Sequence, residues 1–296
     1  MPIASFVSSN SKKIKMRHFT TIILTVLTLI SCSNEKRKTD TNSINHVDSL
    51  RQDFNSVYKG VWVLTDYIEE IKKTKSALKS AKKLEDITTL IIKQETKGDS
   101  AEIGISLNNH EGSSLVAYFS EGHRKNSLKT NIPDFDTKTN YYELGYERIG
   151  KETFLFIYHY DKTNKLIDKK QFTKVLEKQS DKEDAAWGLQ YFVNKTLIAG
   201  NYLLVDSLNS KRKVVFGVDG SLKGFNDFKT YYYCTDYMTG QAPDFDELYL
   251  KISETEDGKC FELKTKNDTI YLYSTTGDEY DGTFKLDKLT YRLTKQ

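Results

Sequence analysis

Gly60-Val61-Trp62-Val63-Leu64-Thr65-Asp66 decides the fold, because its pattern returns as Gly200-Asn201-Tyr202-Leu203-Leu204-Val205-Asp206. Each copy places an aromatic two residues after a glycine, continues apolar and ends at an aspartate, which reads as a short strand bounded by a break. Two further landmarks follow in the same order. Pro133-Asp134-Phe135-Asp136 recurs as Pro243-Asp244-Phe245-Asp246, each time just before a Tyr-rich run, and Gly150-Lys151 recurs as Gly258-Lys259. The extra length of the first copy falls around Tyr67 to Ala81. The expectation is a duplicated, all-β chain with two pseudo-repeated halves. Each half closes with a strand that returns to its first, Phe172 to Val175 or Tyr291 to Lys295, so that no sheet edge is left open.

Between these landmarks the residues alternate. Ala101, Ile103, Ile105 and Leu107 oppose Glu102, Gly104 and Ser106, the period of a half-buried strand. Similar strands are expected at Ile87 to Glu95, Leu115 to Ser120, Tyr141 to Glu147, Thr153 to Tyr160 and Leu166 to Val175. The second half offers Tyr202 to Val205, Lys213 to Val218, Thr230 to Asp236, Leu248 to Ile252, Cys260 to Lys264, Thr269 to Tyr273 and Phe284 to Leu293. Thr153 to Tyr160 is apolar on both faces and is expected to lie centrally. Two helices interrupt the strands. Tyr67, Ile71, Thr74 and Leu78 share one face at helical spacing. Ser180-x-x-Glu183 resembles a capping box ahead of an apolar face that includes Trp187, Tyr191 and Val193, with Gly200 as a stop.

The N-terminus carries an address. Lys12, Lys13, Lys15 and Arg17 precede an apolar run from Phe19 to Ile30, too short to span a bilayer as a helix. The run ends in Leu29-Ile30-Ser31-Cys32, which looks like a bacterial lipobox. That likeness implies cleavage before Cys32 and acylation of its thiol and new amine, with anchoring worth roughly 0.8 kcal/mol per buried methylene. The compact signal can also start at Met16. The expected organisation is a signal peptide over 1–31, a flexible polar tether over 32–56, an N-terminal β half with one helix over 57–179, a connecting helix over 180–199 and a C-terminal β half over 200–296. The expected location is the cell envelope, at the outer membrane.

Composition removes several functions. Lys+Arg 44 against Asp+Glu 41, mixed along the chain, lacks the clustered basic excess of a nucleic-acid binder. No Gly-x-Ser-x-Gly elbow occurs, and no Gly-x-x-x-x-Gly-Lys-Ser/Thr phosphate loop. His110-Glu111 lacks the second histidine of a helical zinc motif, and His159 shares a strand face with Leu155 and Ile157, as a core histidine would. Acidic turns at Asp134 and Asp136, Asp244 and Asp246, and Asp278, Glu279 and Asp281 do not match a calcium loop. Cys234 and Cys260, separated by one strand, would lie roughly 9.5 Å apart, beyond disulfide reach. Two free thiols, no metal, no cofactor and no enzymatic activity are expected.

Gly60-x-Trp62 on a first strand, followed by a helix and many antiparallel strands, resembles the opening of a lipocalin-like barrel. Taken whole, Val57 to Lys295 is similar to the uncharacterised lipocalin-like lipoproteins of the Bacteroidota cell envelope. The resemblance implies an antiparallel barrel, one or two, with Trp62 packing its closed base, and membrane attachment through acyl chains on Cys32. A barrel interior collects alternate strand residues, so Tyr231, Tyr233, Tyr249, Tyr271 and Tyr273 are the expected lining or rim of any pocket. A small apolar ligand suits such a pocket. Exposed strand tyrosines equally suit an interaction subunit that docks another envelope protein or a glycan.

Overall fold

The computed structural model describes residues 41–93, 96, 98–180, 184–206, 210–237, 244–253, 258–277 and 285–296. Residues 1–40 with Cys32, Glu183 of the capping pattern, Pro243 and the acidic turn at 278–282 lie outside them.

The first half is a closed antiparallel barrel of eight strands: β1 (Gly60–Leu64), β2 (Ile87–Ile92), β3 (Ser100–Leu107), β4 (Glu111–Glu121), β5 (Ser127–Thr130), β6 (Tyr141–Ile149), β7 (Glu152–Tyr160) and β8 (Leu166–Leu176). Each strand pairs with the next, and β8 returns to β1 with Phe172 opposite Leu64. The second half also has eight strands: β9 (Gly200–Asp206), β10 (Lys211–Phe216), β11 (Leu222–Lys223), β12 (Thr230–Tyr233), β13 (Asp246–Lys251), β14 (Lys259–Lys266), β15 (Thr269–Thr276) and β16 (Lys285–Lys295). Here β16 returns to β9, and the two edge strands are the consecutive β11 and β12. Those edges touch at a single bridge between Ser221 and Thr230, where the Leu222 amide donates to Lys229 O at 2.7 Å and the Tyr231 amide to Gly220 O at 2.8 Å. The all-β antiparallel reading therefore holds and the first sheet closes as expected, whereas the second stays open between β11 and β12 apart from that bridge.

The internal landmarks follow a different count. After Pro133-Asp134-Phe135-Asp136 the third strand, β8, closes the first sheet; from Asp246 onward the fourth, β16, closes the second. The opening and closing strands are equivalent, whereas the Pro-Asp-Phe-Asp landmark is displaced by one strand. β5 and β11 escape a reading by alternation because four and two residues are too few to show a period.

Both interiors are filled with side chains. Trp62, Leu90, Ile103, Leu144, Leu155 and Phe172 are buried in the first, and Leu204, Phe216, Tyr233, Leu248, Phe261 and Leu272 in the second. At β7 the opposite face is buried too. Phe156, Tyr158 and Tyr160 form a separate aromatic cluster, overlaid by Lys169 and Arg124 at 4.4 and 4.8 Å from the Phe156 and Tyr158 rings. The buried Glu143 carboxylate fixes the covering loop, accepting from the His123 amide at 2.5 Å and Ser127 Oγ at 2.6 Å. A loop, rather than a second layer of sheet, thus accounts for the doubly apolar strand.

The tether expectation is corrected over residues 41–56, because Thr41–Val57 is a helix, α1. Val47, Leu50, Phe54 and Val57 fall at spacings of three and four and pack on the core. Phe54 stacks on Tyr58 at 4.9 Å and meets Phe119 edge-on at 5.5 Å. The first-half helix divides as well. α2 (Thr65–Thr74) buries Tyr67, Ile68 and Ile71, then stops at Lys75, whose φ of 55° is left-handed, and α3 (Ala77–Ser80) restarts under a Ser76 cap.

The connecting helix, α4, runs over Trp187–Leu197, shorter than the expected 180–199. It lies against β1 so closely that a Cβ on Gly188 would fall 2.3 Å from Val61 Cγ1. Its polar side joins the two sheets. Gln190 Nε2 donates to Tyr233 O at 3.0 Å, Asn194 Nδ2 to Val218 O at 3.1 Å, and Thr235 Oγ1 to Gln190 Oε1 at 3.2 Å. Asn109, from the β3–β4 turn, donates to Thr235 O at 3.2 Å, and the Leu78 amide of α3 donates to Asp246 Oδ1 at 3.0 Å. A buried network of this kind fixes a relative position, since any slip would strand several polar groups in low dielectric.

Candidate functional site

The five tyrosines expected to line one pocket stand on opposite faces of the second sheet. Tyr231 and Tyr233 point inward beside Leu250 and Leu248. Tyr231 packs edge-on against Phe216 at 5.0 Å and donates its hydroxyl to Gly217 O at 2.5 Å. Burial, followed by the charge of Asp219, pushes its phenol well above the ordinary range. These two rings fill the interior. Tyr249, Tyr271 and Tyr273 alternate with the inward Leu250, Ile270 and Leu272 and so face outward, half-buried.

The outward face has a definite composition. Tyr232 and Tyr249 meet at 6.2 Å between ring centroids. Across the sheet, Glu262 opposes Tyr273, Lys264 opposes Tyr271, Tyr273 opposes Leu289 and Tyr271 opposes Arg292. Lys264 bridges these rows, with its ammonium 2.8 Å from Glu262 and 5.1 Å from the Tyr273 ring centre. Hydrogen bonding to Glu262 raises its pKa. Leu286 and Leu289, 47 % and 43 % exposed, extend the apolar part. Tyrosine and arginine are residues enriched at protein interfaces.

Cys234 and Cys260 are both buried, free thiols. Cys260 Sγ lies 4.0 Å from Glu247 Oε1, and burial followed by the Glu247 charge pushes the Cys234 thiol up to about 12. A thiol held protonated in this way is a poor nucleophile.

His159 is the best-connected histidine. Its Nε2 is 2.8 Å from Asp134, its Nδ1 is 3.4 Å from Asp168, and its ring stacks on Tyr142 at 4.2 Å. Asp134 also accepts from the Thr137 and Asp136 amides and from Asn140. Those bonds, led by Thr137, hold its carboxyl down to about 2. The cluster pins the loop before β6 through Asp134. Among the described residues, no group of three or more His, Cys, Asp or Glu side chains is placed to hold a metal ion. Gly145-x-x-x-x-Gly150-Lys151, reminiscent of a phosphate loop, is strand β6 and its hairpin turn, followed by Glu152.

Surface grooves among the described residues accompany the filled interiors. One, of about 370 Å³, is lined by Leu64, Asp66, Lys82, Lys83 and Glu85 together with Phe156 of β7 and Lys169, Lys170 and Gln171 of β8. Another, of about 380 Å³, crosses Gly104, Ser113 and Ser114 on the outside of β3 and β4. Sequence reasoning missed the division of the tyrosines because a tyrosine suits either face of a strand. The signal that separates them is the identity of the alternating partners: leucine, isoleucine and phenylalanine inward, charged residues outward. Compared with known protein families, with curated proteins and with solved structures, the chain matches none.

Proposed function

We propose that this chain is a lipid-anchored protein of the cell envelope, at the outer membrane, that acts without catalysis as an interaction subunit. It would dock an envelope protein through the outer face of its second sheet. The observation behind this reading is the alignment of Tyr249, Tyr271, Tyr273, Leu289 and Arg292 on one outward face while both interiors are occupied by side chains. An apolar ligand needs an enclosed pocket, and filled interiors favour surface binding over carriage. The anchor rests on Leu29-Ile30-Ser31-Cys32 after its charged, apolar leader. Holding such a face at a membrane raises the effective concentration of a partner confined there.

Two measurements test this reading. Metabolic labelling with palmitate should mark the wild-type chain and not a Cys32→Ser variant; equal labelling would remove the anchor. Cross-linking pull-downs from envelope fractions should recover one consistent protein, depleted at least fivefold by Tyr271→Ala with Tyr273→Ala. Identical recovery from the variant, or a co-purifying apolar molecule in native mass spectrometry, would overturn the docking role.

A further inference from the structure

The outer face of the second sheet carries charge that the whole-chain balance conceals. The register sets Lys211 of β10 opposite Val205 of β9, Val205 opposite Arg292 of β16, Arg292 opposite Tyr271 of β15, and Tyr271 opposite Lys264 of β14. The neighbouring row runs Lys213, Leu203, Thr294, Thr269 and Lys266 across the same strands. Both rows face outward, because they alternate with the buried Val214, Leu204, Leu293, Ile270 and Leu263. Five cations thus stand on one face, a lysine pair at each side and Arg292 between them. Each lysine pair is spaced i, i+2, roughly 6.8 Å along its strand.

Most of this charge is left unmatched. Lys264 is held 2.8 Å from Glu262, whereas Lys211, Lys213, Lys266 and Arg292 are exposed and pair with no carboxylate among the described residues. Glu247 and Glu262, opposite each other on β13 and β14, are each only 5 % exposed and offer little to offset them. Leu203, Val205 and Tyr271 are half-buried between the more exposed cations. A bilayer takes up apolar groups that reach into it, which these do not. A second copy docked by the same face about a two-fold axis would set cation against cation. A pleated protein surface that exposes carboxylates is complementary, since side chains on one face of a strand repeat at the same i, i+2 interval. We propose that this face docks an acidic protein, with carboxylates at Lys211, Lys213, Lys266 and Arg292 and an apolar strip over Val205 and Tyr271. The proposal rests on the docking reading and names the chemistry of the partner.

The test follows the fluorescence anisotropy of a labelled decaglutamate peptide with the full chain in neutral detergent. Decaglutamate should bind and decalysine should not. Binding should weaken at least tenfold between about 0.1 M and about 1 M salt, as the screening length falls from roughly 10 Å to 3 Å. Lys211→Glu with Lys213→Glu should weaken binding at least tenfold, and Lys211→Gln with Lys213→Gln should weaken it less. Lys162→Glu with Lys165→Glu, in the β7–β8 turn, alters net charge as much as the first variant and should leave binding unchanged. Two further arms use an oligo(dT) strand of equal charge and, with a Cys32→Ser chain, phosphatidylglycerol vesicles. Tighter binding in either arm than to decaglutamate overturns the proposal in favour of a nucleic acid or a lipid surface. Equal decaglutamate binding by the Lys211/Lys213 variants overturns it outright. The cross-linking pull-down reads docking separately: a partner recovered through Tyr271 and Tyr273 but indifferent to salt and to Lys211→Glu with Lys213→Glu keeps docking and removes the acidic partner.

Discussion

Trp62 and Tyr202 perform the same act in the two sheets: each returns a hydrogen bond to the carbonyl four residues earlier. Trp62 Nε1 donates to Tyr58 O at 2.7 Å, and the Tyr202 hydroxyl donates to Ile198 O at 2.8 Å. Each follows a glycine of positive φ, 129° at Gly60 and 151° at Gly200. Each sits opposite a lysine of the closing strand, Lys174 or Lys295, whose Cε would lie 3.2 Å from a Cβ on that glycine. The tryptophan-to-tyrosine change between the copies therefore preserves the donor and the lysine paired opposite it. In both halves the polar tip of the ring fastens the chain entering the sheet to the first strand.

Removing either donor should cost stability independently of the other. Trp62→Phe and Tyr202→Phe each leave a buried carbonyl short of a partner, which costs about 1–3 kcal/mol. The sites lie in different sheets, so the double variant should lose close to the sum. Urea unfolding followed by circular dichroism measures all three. A double variant no less stable than the worse single one would show that the two fastenings are coupled.

The Gly-x-aromatic strands, the closing strands and the clean alternation of Ala101 to Leu107 were legible because each is a local pattern with a physical period. α1 was not, since Val47, Leu50, Phe54 and Val57 are sparse among polar residues and become a stripe only against the core, with Phe54 on Phe119. The outward tyrosines were legible as residues but not as a surface. Their common face depends on the register that sets Glu262 opposite Tyr273 and Arg292 opposite Tyr271. The groove was invisible for a related reason. Its lining draws Lys82 and Lys169, far apart in sequence, into one groove only because β8 closes the barrel beside α2 and α3.

Glu143 should control the loop over the β7 aromatics. Glu143→Ala deprives the His123 amide and Ser127 Oγ of a charged acceptor, and hydrogen bonds to charged groups are worth about 1.5–3 kcal/mol. The expected result is a comparable loss of stability, with trypsin cleavage appearing first at Arg124 or Lys125. Unchanged cleavage would mean that the loop is held by its other contacts, such as Arg124 over Tyr158.

The burial of Cys234 should silence its thiol. With its pKa pushed up to about 12, almost no thiolate is present near neutrality. In a Cys32→Ser chain, iodoacetamide at about pH 8 should leave Cys234 unmodified in the native state and alkylate it promptly in urea. Rapid native labelling, mapped by mass spectrometry, would place this thiol in a more open setting.

His110 supplies a pH-dependent tie between the halves. Its Nδ1 lies 2.7 Å from Asp236, and that hydrogen bond, followed by the Asp236 charge, raises the imidazole above its ordinary 6.5. A raised folded pKa means that the folded state binds the proton more tightly than the unfolded chain. The contribution is therefore fully present below 6.5 and disappears as the pH climbs through the raised value. Asp236→Asn should lower the melting temperature in mildly acidic solution and approach the wild type in alkaline solution, above the titration of His110. The same substitution should return the His110 proton resonance to an ordinary titration midpoint. A deficit that grows with pH would reverse the sign and exclude a charged His110–Asp236 pair as its source.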